Sequence, residues 1–252
     1  MNDFTIVVGV DAKTGPQLRK VWPTWRDCHA ELLARPLIIF YDHTIYSAYQ
    51  AANLIDHPNV ATVPWPPEGA VYQATRPDKW GNPQRHKMLA GFVHVPAAHV
   101  KTPYWMKIDT DVRGVPTSIM PHINYENSPA IIAPGWGYTK PADQMERLDA
   151  WALQNHDILP PHIANGPALG LKAEPGASKL VHPRICSWVA FFNTAFTQVA
   201  AHCAAITVGP GKLPVPSQDG YLWYLANRAG LRIEKVNMRA CGWALTHHSQ
   251  LV

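Results

Sequence analysis

The sequence predicts an α/β fold in which a mostly parallel central sheet is flanked by helices. Three observations predict it. Short β-rich apolar runs alternate with stretches of helical periodicity from residue 4 to residue 108, and several of those runs end in an acidic residue. At 47% apolar and 16% charged, 252 residues also carry enough hydrophobic side chain for a substantial core.

The elements follow in order. Phe4 to Val10 reads as a strand closing at Asp11, and Gln17 to Ala34 as a helix, with Leu18, Val21, Trp25, Leu32 and Leu33 near helical spacing. Pro36 to Tyr41 is a second buried strand, ending in Asp42, so strand, helix and strand predict parallel pairing through a right-handed crossover. Thr44 to Ile55 is expected to be helical, and Val60 to Val63 a third strand before the Pro64 to Pro67 breaker. Residues 66 to 84 read as an irregular loop. A helix over Gln84 to Val100, carrying Met88, Phe92 and Val95, leads into the strand Tyr104 to Ile108 and the triplet Asp109-Thr110-Asp111.

Downstream, Ala130 to Ala133 is a strand candidate, and residues 137 to 183 form a polar, Pro/Gly-rich stretch with one helix near Gln144 to Gln154, a suitable place for acceptor-binding loops. Ser187 to Phe192 is a strand and Thr194 to Ala205 a helix. Ser217-Gln218-Asp219-Gly220 opens another helix, stopped by Gly230, before a last strand over Leu231 to Val236.

Composition narrows the function. The formal charge of +4 favours anionic ligands, but no Lys/Arg block demands nucleic acid, and phosphate on a small molecule suffices. Cys28, Cys186, Cys203 and Cys241 are far apart, which excludes zinc-ribbon and thioredoxin-like sites. The start of the chain lacks the basic and apolar regions of a secretory signal, and no apolar run approaches the ~20 residues of a membrane helix. A soluble, cytoplasmic protein is the expectation. Ten Trp and 24 Pro suggest ordered loops and aromatic surfaces for sugar rings or bases, with Trp136, Trp188 and Trp243 as candidates.

Two carboxylates one residue apart at a strand exit suit a hard divalent ion held against a diphosphate, with Mn²⁺ or Mg²⁺ fitting an all-oxygen set. With 12 Asp in the chain, about 0.6 such triplets arise by chance, so position carries the weight. Ligands of open α/β sheets bind beyond the carboxyl ends of the strands, where Asp11, Asp42, Asp109 and Asp111 all fall. Asp111 is assigned to the metal and Asp109 to the ribose or a metal-bound water. Val10, Asp11 and Asp42 are candidates for ribose or base contacts. Arg85 and Lys87, at the start of the helix before the Asp strand, are candidates for phosphate or for pairing with Asp109.

The order of parts resembles the GT-A fold glycosyltransferases, whose Rossmann-like domain transfers a sugar from a nucleoside diphosphate to an acceptor. The likeness is sharpest in two segments: Arg85-His86-Lys87-Met88-Leu89-Ala90 through Tyr104 to Val112, and Gln218-Asp219-Gly220-Tyr221-Leu222 with Leu225, Arg228 and Gly230. Gln218 stands where the family usually has Glu, and Gly9-Val10-Asp11-Ala12-Lys13 replaces a common Pro-x-Tyr-Asn continuation. The resemblance implies a single domain, with residues 1–112 as the nucleotide-sugar half and 113–252 as the acceptor-binding and catalytic half. It implies Asp219 as general base of an inverting transfer, and His247 or His248 as a further metal ligand that favours Mn²⁺. A UDP- or GDP-sugar is the implied donor, and a glycan or a modified base in DNA the acceptor. Two other readings compete. A sugar-1-phosphate nucleotidyltransferase needs a Gly-rich triphosphate cradle, whereas Gly9 to Gly15 offers two Gly and one Lys. A non-enzymatic carbohydrate- or nucleic-acid-binding module predicts no stabilisation by nucleoside diphosphate and Mn²⁺.

Overall fold

The structure, a computed structural model, describes residues 4–67, 83–116, 118–134, 136–139, 143–170, 182–185 and 188–247. The first half runs β1 (Phe4–Val10), α1 (Thr14–Cys28), β2 (Leu37–Asp42), α2 (Ala48–Ala52), β3 (Val60–Trp65), α3 (Pro83–His99), β4 (Tyr104–Ile108) and β5 (Val112–Gly114). The second runs β6 (Ile131–Ala133), β7 (Trp136–Thr139), α4 (Asp143–Gln154), α5 (Pro161–Ala164), β8 (His182–Ile185), β9 (Val189–Asn193), α6 (Thr194–Val208), α7 (Gln218–Arg228), β10 (Ile233–Lys235) and β11 (Leu245–His247).

Seven strands form the central sheet in the order β10-β6-β9-β4-β1-β2-β3. β1, β2, β3 and β4 are mutually parallel, and β9 alone is reversed against β4 and β6, so six strands point their carboxyl ends to one edge. The chain leaves β1 for β2 on one side and later enters β4 on the other, which makes the β1/β4 boundary the point where the winding reverses. Alternation sorts the side chains of β4: Tyr104, Met106 and Ile108 join the core that includes Trp25 of α1, while Trp105 joins the opposite core with Phe92 and Val93 of α3.

Local chemistry moves several expected boundaries. The helix expected over Gln17 to Ala34 begins earlier, at Thr14, and stops at Cys28, where His29 leaves helical geometry and a short 3₁₀ turn follows over Ala30–Ala34. The helix expected over Thr44 to Ile55 shrinks to Ala48–Ala52 because Asp42 claims the Thr44 amide at 3.0 Å and Ser47 forms a capping box with Gln50. The loop expected over residues 66 to 84 lies mostly outside the described residues.

Two antiparallel pairs were not foreseen. β7 pairs with β8 in the Pro/Gly-rich stretch, and β5 pairs with β11 immediately after the Asp triplet. β5 is clamped onto α1: the buried Trp25 indole donates to the Val112 carbonyl at 2.7 Å and the Gly114 amide donates to the Thr24 hydroxyl at 3.0 Å. The approach is so close that a Cβ on Gly114 would lie 2.3 Å from the Thr24 carbonyl oxygen. Gly114→Ala is therefore expected to lower stability by about 1–3 kcal/mol through forced separation of β5 from α1, as read by urea denaturation. A wild-type midpoint would show that the clamp can yield.

Candidate active site

β4 delivers Asp109 to the carboxyl edge. The Asp109 amide donates to the Trp188 carbonyl (2.8 Å) just before β9, and its carbonyl accepts from the Val112 amide (3.1 Å), which closes a tight turn. That turn exposes part of Asp111 and tucks in Thr110, whose hydroxyl donates to Oε1 of Gln17 on α1 at 3.2 Å. The triplet is therefore held from β9 on one side and from α1 on the other.

The cation beside it is Lys107, which sequence reasoning missed. Lys107 is 3% exposed, pairs with the Asp109 carboxylate, and sets its ammonium 4.8 Å from the centre of the Phe92 ring. The available signal was a lysine inside the apolar run Tyr104-Trp105-Met106-Lys107-Ile108, since a lysine in a buried strand needs a partner. Burial pushes the Asp109 carboxyl above its ordinary pKa. Lys107 opposes this through its charge and hydrogen bond, while Asp219 and then Asp111 push it further up. The net shift is upward, although a third of the Asp109 side chain remains open. Burial is thus the main cause of the rise, the two neighbouring carboxylates add to it, and a bound divalent cation would favour the ionised form.

Asp219 reaches this cluster from the first turn of α7. Ser217 caps the helix by accepting from the Gly220 amide (3.1 Å), and the Gln218 side-chain amide donates to Asp219 Oδ1 at 2.5 Å. An acid in a first helical turn is favoured by the helix dipole alone. Its electrostatic coupling to Asp109, 110 positions away in sequence, adds a reason that the helix does not supply.

The candidate metal ligands separate into what is placed and what is not. Asp109 and Asp111 lie together, and the β5–β11 register sets His247 opposite Val112, the neighbour of Asp111. The His247 side chain and all of His248 lie outside the described residues, and so does their expected ligation. Among the described residues, no three His, Cys, Asp or Glu side chains gather into a metal-holding group. The fit to a hard cation therefore rests on the oxygen pair.

The remaining candidates differ from expectation in instructive ways. Lys87 does not pair with Asp109. It meets Asp42 at 2.7 Å, and both side chains are buried. Asp42 also accepts from the Thr44 amide (3.0 Å) and hydroxyl (2.7 Å), so the pair is an internal brace between β2 and α3. The Arg85 side chain lies outside the described residues, as does that of Trp136. Val10 is fully buried, which leaves only its main chain for a ligand. Asp11 is partly exposed, and its Oδ1 accepts from the Lys13 amide (2.9 Å) and the Thr14 amide and hydroxyl (both 2.8 Å), shaping the β1–α1 turn. Trp243 is core, packed edge-on to Phe4 and Phe191, so of the expected aromatic wall only Trp188 is placed at the carboxyl edge.

A mostly parallel sheet reversed only at β9, with the acid turn ending β4, is a GT-A fold. The particular likeness is to core-mannan synthase A of Aspergillus fumigatus in its Mn/GDP form, at a TM-score of 0.62 and 8% identity, over 95% of this chain and 72% of that one. The mannosyltransferase Ktr4p of S. cerevisiae also aligns, at 0.49 and 12% over 96% and 66% of the two chains, as does the galactosyltransferase LgtC with donor and acceptor sugar analogues, at 0.47 and 10% over 91% and 73%. By sequence, the chain matches no protein-family profile and no curated protein.

The Asp42–Lys87 brace yields a pH prediction. Burial raises the Asp42 pKa, but hydrogen bonds from Lys87 and Thr44 and the Lys87 charge outweigh it, and the net shift is downward from 3.8. The stabilisation is therefore complete above pH 3.8 and is lost as pH falls through the lower folded-state value. Asp42→Asn leaves Lys87 unpaired and is expected to cost about 3–5 kcal/mol near neutral pH, with the deficit against wild type shrinking in acid. Urea titrations at pH 7 and pH 3 check both parts. A stable variant with weakened nucleotide binding would instead make Asp42 a ligand contact.

Proposed function

We propose that this protein is a metal-dependent glycosyltransferase that moves a sugar from a nucleoside-diphosphate sugar to an acceptor hydroxyl with inversion at the anomeric carbon. The observation that carries the proposal is the Asp109-Thr110-Asp111 turn: two carboxylates at the winding reversal of a GT-A sheet, coupled to a third carboxylate from α7. The fold likeness to a mannan synthase solved with Mn and GDP supports the same reading and makes a GDP-sugar with Mn²⁺ the first donor pair to test.

Residues 1–112 then form the donor half and 113–252 the acceptor and catalytic half. Asp111 and Asp109 hold the cation, with a histidine from the β11 end completing the set. The ion supplies charge neutralisation for the departing diphosphate, the largest electrostatic need in such a displacement. Lys107 orients Asp109 and favours its ionised form against the effect of burial, and the β1–α1 turn at Asp11 faces the nucleoside. Asp219 takes the proton from the acceptor hydroxyl as its oxygen bonds to the anomeric carbon and the bond from that carbon to the diphosphate oxygen breaks on the opposite face. The Gln218 amide fixes the Asp219 carboxylate for that transfer.

Two outcomes test the assignment. Asp111→Ala is expected to abolish Mn²⁺-dependent hydrolysis of GDP- or UDP-sugars with an unchanged melting temperature, and to remove the Mn²⁺/GDP thermal stabilisation that linkage gives wild type, about 2.7 kcal/mol at a hundredfold excess over Kd. An undiminished rate would sink the metal role. Asp219→Asn is expected to lower transfer about 10²–10⁴-fold with donor affinity retained. NMR of the product anomer provides the second check, since retention of configuration is incompatible with Asp219 as the base.

A further inference from the structure

A cavity of about 420 Å³ opens beside the Asp turn, lined by Pro134, Trp188, Lys235, Asn237, Arg239 and Leu245 among others. Its position follows from the sheet. Pro134 follows β6 and the segment from Val236 follows β10, so both lie on the same carboxyl edge as Asp109, while Trp188 enters the reversed β9 from that edge. Along the edge the order is nucleoside side at β1, acid turn at β4, then the cavity across β9, β6 and β10. Trp188 belongs to both places, because its carbonyl takes the Asp109 amide.

We infer that this cavity is the acceptor subsite and that it takes a sugar bearing a negative charge, a uronate carboxylate or a sugar phosphate. The inference rests on the glycosyltransferase reading and names its substrate class. Three features support it. Both cations of the cavity, Lys235 and Arg239, are exposed, and neither makes an ion pair among the described residues; nearby Glu234 is engaged by Arg232 at 2.5 Å. The loop that presents Arg239 is built, since Asn237 Oδ1 accepts from the Arg239 (3.1 Å) and Ala240 (3.2 Å) amides, and the Trp243 amide donates to the Met238 carbonyl (2.7 Å). The half-buried Trp188 gives a sugar ring an apolar face between the cations and the reacting centre.

The spacing also fits. β4 and β10, the strand that carries Lys235, are separated by two strands, about 14 Å at normal sheet spacing, which is the reach of about two to three sugar rings. A hydroxyl near the acid turn and an anionic group at Lys235 and Arg239 can thus belong to one acceptor of about two to three sugar units. The charge pattern orients it, since the two cations at the far end attract the acidic group.

The test measures binding of methyl β-glucuronide, glucose 6-phosphate and methyl β-glucoside by calorimetry, with GDP and Mn²⁺ saturating so that the donor site is filled, in wild type and in Lys235→Gln/Arg239→Gln. Either charged sugar is expected to bind wild type at least about tenfold more tightly than the neutral glucoside, and to lose that advantage in the variant and in high salt. The glucuronide and phosphate arms separate the two sources of charge. Donor hydrolysis is measured in parallel and is expected to be unchanged in the variant. Equal affinity for charged and neutral sugars, or an advantage that survives the double substitution, overturns the inference. Absence of Mn²⁺-dependent donor turnover in wild type overturns the glycosyltransferase reading instead.

Discussion

A lysine buried in the middle of a parallel sheet is the constraint around which this molecule is arranged. Lys107 cannot be solvated where β4 places it, so its charge must be met from within, and Asp109 is the acid that meets it. That pairing draws the first carboxylate of the triplet back against its own strand, while Asp111 stays partly exposed. Asp42 and Lys87 repeat the solution two strands away, between β2 and α3. One pair is sealed and serves the scaffold. The other stays a third open at its acid end and lies within the field of two further carboxylates. The difference between the two pairs is thus one of access and of neighbouring acids, with similar residue types in both.

The acid turn depends on support from every side. The reversed strand β9 holds it through the Trp188 carbonyl, α1 through Gln17, and β5 continues it under the Trp25 and Thr24 clamp. A site on a loop gains precision when the loop is short and its main chain is tied to rigid elements. Here only three residues separate β4 from β5.

Much of this was legible in the sequence. The apolar runs of β1, β2 and β4 are bounded by acids and spaced by helical segments, so the βα alternation and the common edge of Asp11, Asp42, Asp109 and Asp111 could be read from periodicity alone. Short elements defined by distant pairing could not. β5 and β11 have three residues each, and their pairing joins positions more than 130 apart in the chain, with no local signal to announce it. The partners of charged side chains were hidden for a related reason. Lys87 is near Asp109 in the linear plan, but helix phase turns it to Asp42, while strand alternation gives Asp109 to Lys107. Trp188 and Trp243 looked equivalent in sequence, and only tertiary packing sends one to the cavity and the other into the core.

The β5–β11 pairing also has a meaning for the order in which the molecule is made. The central sheet can close once β10 has been synthesised, yet the strand beside the acid turn is completed by residues 245–247. A nascent chain emerging from the ribosome can therefore assemble nearly all of its hydrophobic core before that turn has its neighbouring strand. A chain interrupted before residue 245 thus has the strands of its central sheet but not the strand that pairs with β5 beside the acid turn.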